Sequence, residues 1–259
     1  MYIIMISIFA GIFGTGLGGL LTALMGYRTD KVVSVLLSFA GGVMTSIVFV
    51  ELIPEAIAHS GMIISVAGMV MGVVVVLLLN ELIDRFSDMN VPKAELHKNF
   101  QEFFHENRMI TSDNKKIRSG ILMFFVIGLH NIPEGLAIGA AGNHDLSFGF
   151  TLALMIGIHN IPEGMAIAAP LISGGLGHRW TVLMTLLAGA PTVLGAVVGV
   201  LIGSISDIAL ALAYSIAGGA MLYVVFGEIL PQTVAVSKDR IPTIVSLAGI
   251  VCGMLLTRI

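Results

Sequence analysis

A chain of 259 residues with 56% hydrophobic and only 11% charged side chains is not a water-soluble globule, because soluble domains carry about 25% charged residues. Its mean hydropathy of +0.99 says the same. The formal net charge of −3 says little by itself, no nucleic-acid partner is expected, and the single Cys252 leaves no intrachain disulfide.

In chain order, eight apolar, charge-poor stretches occupy residues 2–26, 32–57, 62–84, 119–142, 147–171, 180–203, 208–235 and 241–258. Each suits a helix crossing a hydrocarbon layer of ~30 Å. The first lacks a basic leader and is too long for a signal peptide, so it is expected to remain as a helix. Only one connection is long and polar, residues 86–117. It contains a candidate amphipathic helix from Pro92 to Asn107, with His97 and His105. Counting loops from an external N-terminus puts every basic residue except Arg258 on the inner side, twelve of thirteen. The expectation is an all-α membrane protein of eight transmembrane helices. It forms one transmembrane domain over 1–259, with external termini and a cytoplasmic loop at 86–117.

Two internal repeats organise these stretches. GLHNIPEGLAIGAA (128–141) returns as GIHNIPEGMAIAAP (157–170). AGGVMTSIVFVELIPEA (40–56) returns as AGGAMLYVVFGEILPQT (217–233), with eight identities in seventeen positions. The members of each pair run in opposite directions by the loop assignment. The implied architecture is a 3+2+3 inverted-repeat bundle, in which stretches 1–3 mirror 6–8 and stretches 4 and 5 form the centre. Transporters of this design bind cargo near the midplane.

The centre carries the chemistry. In HNIPEG, residues i, i+1 and i+4 share one helix wall. His130, Asn131 and Glu134 therefore line the fourth stretch, and His159, Asn160 and Glu163 the fifth. His130 lies twelve residues beyond Arg118, or ~18 Å into the membrane. A carboxylate at that depth costs roughly 2.5–3.5 kcal/mol and normally has a basic companion. None is built in, for there is no Lys or Arg from 32 to 84, 119 to 178 or 180 to 237. A proton or a visiting cation must supply the charge. Imidazole, carboxylate and amide oxygen together suit borderline and moderately hard divalent ions, of which zinc is the commonest example. Pro133 and Pro162 lack an N–H, which frees the carbonyls of Leu129 and Ile158 beside the ligand walls.

Glu51 and Glu228 hold matching places in the distant repeat and are read as path residues on either side of the centre. Met44, matched with Met221, is a thioether beside that path, although core packing also accounts for it. Glu55, His59, His144, Asp145 and Asp207 fall near the external ends, where they either gather cations or are simply solvated. An intramembrane zinc enzyme or a cation channel remains an alternative. The enzyme is disfavoured because each Glu stands four residues from its His, instead of beside it as in H-E-x-x-H.

With its two HNIPEG blocks, its Glu-x-x-Pro in stretches 2 and 7 and its long third loop, the chain resembles the ZIP (Zrt-, Irt-like protein) divalent-metal transporters over nearly its whole length. The resemblance is strongest to the ZupT- and GufA-like prokaryotic branch. It implies a cell-membrane importer of Zn²⁺, also of Fe²⁺, Mn²⁺, Co²⁺ or Cd²⁺, without a cofactor. It further implies a homodimer and an elevator-like shift of stretches 1, 4, 5 and 6 against 2, 3, 7 and 8. The sequence departs from relatives with a two-metal centre at Ala190, where they often carry Glu, and at Asn160, where some carry Asp. Both changes remove negative charge from the second position. The first position is then His130, Glu134 and Glu163, with His159 close by.

Overall fold

The computed structural model describes residues 2–25, 30–87, 113–237 and 239–256. Its regular elements are all helical, as an apolar solvent requires: without water, each backbone N–H and C=O must be satisfied inside its own segment. α1 (Tyr2–Ile8) continues through a π segment, Phe9–Phe13, into α2 (Gly14–Met25). α3 (Asp30–Ser46) continues through a second π segment, Ile47–Leu52, into α4 (Ile53–Ser87). α5 (Asp113–His144) and α6 (Leu146–Ser173) are long and central. α7 (His178–Ala188) and α8 (Ala190–Gly203) share one span. α9 (Asp207–Val224) passes through a third π segment, Val225–Ile229, into α10 (Leu230–Ser237), and α11 (Ile241–Leu256) comes last.

Among the described residues, six helical runs are long and apolar enough to cross a membrane, and Ile241–Leu256 is a shorter apolar helix. One run, Lys31–Leu78, covers 48 residues and so joins two of the stretches read from the sequence. It is broken at Gly61, whose φ of 78° is open to glycine but strained for other residues. The polar segment is shorter than its composition suggests, because α4 continues to Ser87 and α5 begins at Asp113. Pro92–Asn107, with His97 and His105, lies outside the described residues.

Two π segments fall at equivalent places in the distant repeat, each just before a proline. Pro54 and Pro231 cannot donate to the carbonyl four residues back. The residue before each donates five back instead, Ile53 N–H to Val48 and Leu230 N–H to Val225. The sequence repeat is thus also a repeat of helix irregularity.

Close packing tracks the glycines. α2 meets α6 where a Cβ on Gly18 would strike the Ile161 carbonyl and one on Gly164 the Thr15 carbonyl. α5 meets α8 in the same way, Gly135 against Thr192 and Gly195 against Ile132. A second set joins α4 to α9, with Gly72 against Ile216 and Gly219 against Met69. It also joins α3 to α11, with Gly42 against Ser246 and Gly249 against Phe39. Such seams substitute dispersion for the hydrophobic drive that lipid cannot supply. The outer faces carry exposed apolar side chains such as Phe9, Leu24, Ile63, Leu194 and Leu255.

Opposite ends of the bundle are marked by polar contacts. At one, Ser34 Oγ donates to the Thr233 carbonyl and Lys116 Nζ reaches the Ser173 carbonyl. At the other, His59 approaches Asp207 and His144. Gly164→Ala is expected to lower stability by about 1–3 kcal/mol, since backbone must move to admit the methyl. Gly177→Ala, with nothing within 4 Å of its Cβ, should be neutral. Thermal unfolding in detergent reads both.

Candidate metal centre

α5 and α6 are antiparallel neighbours joined by a single residue, Asp145, whose carboxylate caps α6 by accepting from Ser147 and Phe148 N–H. The two HNIPEG walls therefore face each other. His130 Nε2 lies 3.1 Å from Glu134 Oε1 one turn along its own helix and 3.4 Å from Glu163 Oε1 on the other. Donor atoms of His130, Glu134 and Glu163 all lie within 4.8 Å of one another. Ligands sharing one ion at ~2.0–2.2 Å stand about 3.0–3.5 Å apart, so both short contacts already have the spacing of a coordination sphere.

His159 plays a different part. Its Nε2 is 2.9 Å from the same Glu134 Oε1, within hydrogen-bonding geometry. It anchors that oxygen from α6, and Glu134 Oε2 is left without a hydrogen bond. Both Glu163 oxygens are likewise buried without a hydrogen bond. The four side chains are at most 5% exposed. The ion-pair partners of the two carboxylates among the described residues are these imidazoles. A buried carboxylate oxygen with no donor is costly, and a divalent ion at this point would satisfy several such oxygens together.

The asparagines turn outward to backbone. Asn131 Nδ2 donates to the Ala188 carbonyl at 2.8 Å, and Asn160 Nδ2 to the Ala10 carbonyl at 3.1 Å. Both acceptors are freed by breaks in neighbouring helices. Near Pro191, Thr192 N–H bonds Gly189 and bypasses Ala188. At the end of the first π segment, Gly14 N–H bonds Phe9 and Gly11 and bypasses Ala10. Each Asn thus ties one central helix to a flanking one, while its Oδ1 stays buried without a partner. α5 and α6 continue as helix through Pro133 and Pro162.

A small cavity of about 30 Å³ beside the cluster is lined by His130, Glu163, Met123, Ile127, Leu37, Val224 and Glu228. Glu228 and Glu51 are half-buried within matching π segments. Met44 is fully buried in the hydrophobic core. Sequence reasoning missed Met123, although its place seven residues before His130, with Ile127 between, marks the same helix face.

A multi-span bundle that holds such a cluster among lipid-facing helices is a membrane protein for divalent cations. Comparison with known proteins agrees: the family model described as ZIP Zinc transporter matches residues 95–259. The chain is 32% identical to the zinc transporter ZupT of Akkermansia muciniphila, over 100% of this chain and 96% of that protein. It is 31% identical to the ZupT of Campylobacter jejuni, over 96% and 92% of the two chains. To that of Streptococcus mutans it is 28% identical, over 93% and 90%. The chain belongs to the ZIP zinc transporter family, on its ZupT-like branch. It is a multi-pass membrane transporter of metal ions, not an enzyme, with a buried His/Glu cluster able to coordinate a divalent cation.

Asn131→Leu or Asn160→Leu should each cost about 1–2 kcal/mol, by leaving a buried carbonyl unpaired. The loss would be read as a lower unfolding midpoint in detergent. Unchanged midpoints would mean that these hydrogen bonds contribute nothing to holding the helices together.

Proposed function

We propose that the chain imports divalent transition-metal ions, zinc foremost, into the cytoplasm by alternating access at a midplane site. The observation that carries this reading is the convergence of His130, Glu134 and Glu163 from two antiparallel helices, with a cavity beside them that Glu228 also lines. In this reading His130, Glu134 and Glu163 hold the ion and His159 steadies Glu134. Asn131 and Asn160 offer their Oδ1 atoms at the margin of the site. Glu228 receives the ion on the inner side, Glu51 serves the outer side, and Met44 lies beside the route.

Orientation comes from charge. Lys31, Lys116, Arg179 and Arg240 flank the helix ends on the cavity side, and Glu55, Asp145 and Asp207 sit at the other. The positive-inside bias supports a cytoplasmic first side, and in this reading the cavity lies on the inward exit. The break at Gly61 divides Lys31–Leu78 into two spans. With the shorter Ile241–Leu256 this supports eight crossings, external termini and a single transmembrane domain over 1–259. The central loop, about 86–117, is then cytoplasmic.

The glycine seams support a 3+2+3 inverted repeat. α2 against α6 mirrors α8 against α5, and α4 against α9 mirrors α11 against α3. They also favour an elevator over a channel. Where a glycine Cβ would come within 3.0 Å of backbone, the two helices belong to one of two groups, α1–α2 with α5–α8 or α3–α4 with α9–α11. Between the groups the packing uses side chains, which slide more readily than interlocked backbones. A homodimer belongs to the same reading through the family likeness.

Glu134→Ala or His130→Ala is expected to abolish Zn²⁺ uptake into proteoliposomes while the protein still inserts; normal uptake by both would refute the site. Ala190→Glu, which restores a carboxylate beside Pro191, is expected to change the number of bound ions or the ion preference. Identical metal content and selectivity would argue that no second position exists there.

A further inference from the structure

At the end of the bundle marked by His59 and Asp207, the two helix groups meet ring to ring. His59 on α4 and Tyr214 on α9 belong to one group. His144 at the end of α5 and Phe148 near the start of α6 belong to the other. His144 stands edge-on to His59, with centroids 4.7 Å apart and planes at 87°. Phe148 stands edge-on to Tyr214 at 6.1 Å and 73°. Both separations lie in the range where aromatic pairs attract. His59 and Tyr214, 6.4 Å apart, join the two contacts into one layer. Carboxylates steady the His59 ring: Glu55 Oε2 lies 3.8 Å from Nε2, and Asp207 Oδ1 lies 3.7 Å from Nδ1. Both come from His59's own group, so they orient the ring without tying it to α5. Tyr214 is fully buried, yet its hydroxyl has no hydrogen-bond partner among the described residues. One turn below Phe148 on the same face of α6, Leu152 is also fully buried. His159 of the central cluster lies eleven residues beyond Phe148, or ~16 Å.

We propose that the two ring contacts, His59–His144 and Phe148–Tyr214, are the latch that closes the outer face, and that the unpaired Tyr214 hydroxyl keeps it ready to open. The inference rests on the two-group, alternating-access reading above and names the residues that hold its outer side shut. For α5 and α6 to move past α4 and α9, both contacts must part. An aromatic pair is worth a factor of roughly 2 to 10 in such an equilibrium. That is enough to favour closure and too little to prevent release in each cycle. The hydroxyl works the other way. A buried hydroxyl without a partner burdens the closed form, and once the rings part, water can reach it and lift the burden. Tyr214 thus seals through its ring and loosens through its oxygen. Removing the ring opposite it and removing its hydroxyl should therefore act in opposite directions.

The test uses spheroplasts expressing the full chain, with Cys252→Ser to remove the native thiol and Leu152→Cys as a reporter behind the rings. A membrane-impermeant methanethiosulfonate is added outside, and its rate of reaction with the reporter measures opening. Phe148→Leu, which keeps bulk without the ring, should speed the reaction ~3-fold or more, as should His144→Ala at an exposed position. Tyr214→Phe should slow it ~3-fold or more. In chains that keep Leu152 and Cys252, Tyr214→Phe should lower the maximal Zn²⁺ uptake rate at least ~2-fold without lowering the unfolding midpoint in detergent. Reaction rates that none of the three substitutions changes, or that Tyr214→Phe raises, overturn the latch. Normal Zn²⁺ uptake by the unaltered chain together with an indifferent reporter would sink the latch alone. A reporter that responds as expected in a chain that takes up no Zn²⁺ would uphold the latch and sink the importer reading instead.

Discussion

Two carboxylates held in the middle of an apolar bundle, with imidazole as their only basic company among the described residues, set the terms for the rest of this molecule. Glu134 and Glu163 are 0% and 1% exposed, in a setting where an uncompensated charge is expensive. The His130 and His159 contacts reduce that cost without removing it, because three of the four carboxylate oxygens keep unused acceptor capacity. A lysine in reach would neutralise the site permanently and end its use as a carrier. The arrangement is stable enough to fold and incomplete enough to attract a metal.

Supporting such a site in lipid needs rigidity that hydrophobic burial cannot give. The bundle supplies it through backbone-to-backbone approach at glycine and through the two asparagines. In each HNIPEG copy the His and Glu face inward while the Asn grips a carbonyl on the next helix. One hexapeptide therefore both binds and braces. Its own closing glycines, Gly135 and Gly164, extend the bracing by admitting Thr192 and Thr15.

Much of this was legible in the sequence, and the reasons are specific. The His/Glu cluster could be read because i, i+4 spacing fixes a shared wall and because Lys and Arg are missing over long intervals. Glutamate in the distant repeat was legible for the same reason. The role of the asparagines was not, since their acceptors are exposed by a helix break at Gly189 and a π segment at Phe9–Phe13. Neither irregularity leaves a local trace beside residue 131 or 160. The π segments at Glu51 and Glu228 had a visible cause in Pro54 and Pro231, but proline alone does not say whether a helix kinks, breaks or widens. The meeting of His59 with Asp207 and His144 was not legible, for it required the turn at Gly61 and the approach of α4, α5 and α9, which no single stretch encodes.

The π segments also govern how the chain tolerates changes in length. Each accommodates one residue more than an ordinary α-helical path between its ends, so the downstream helix is offset by about 100° from the face an unbroken helix would present. Gly42 and Ser46, before the Ile47–Leu52 widening, are turned toward α11, whereas His59, beyond it, is turned toward α9. Deleting one residue from that segment would restore regular pitch and swing every later side chain to a different azimuth. A frame-preserving loss of a single codon there would thus do more harm than almost any exchange of side chains, because it rewrites an entire helical face at once.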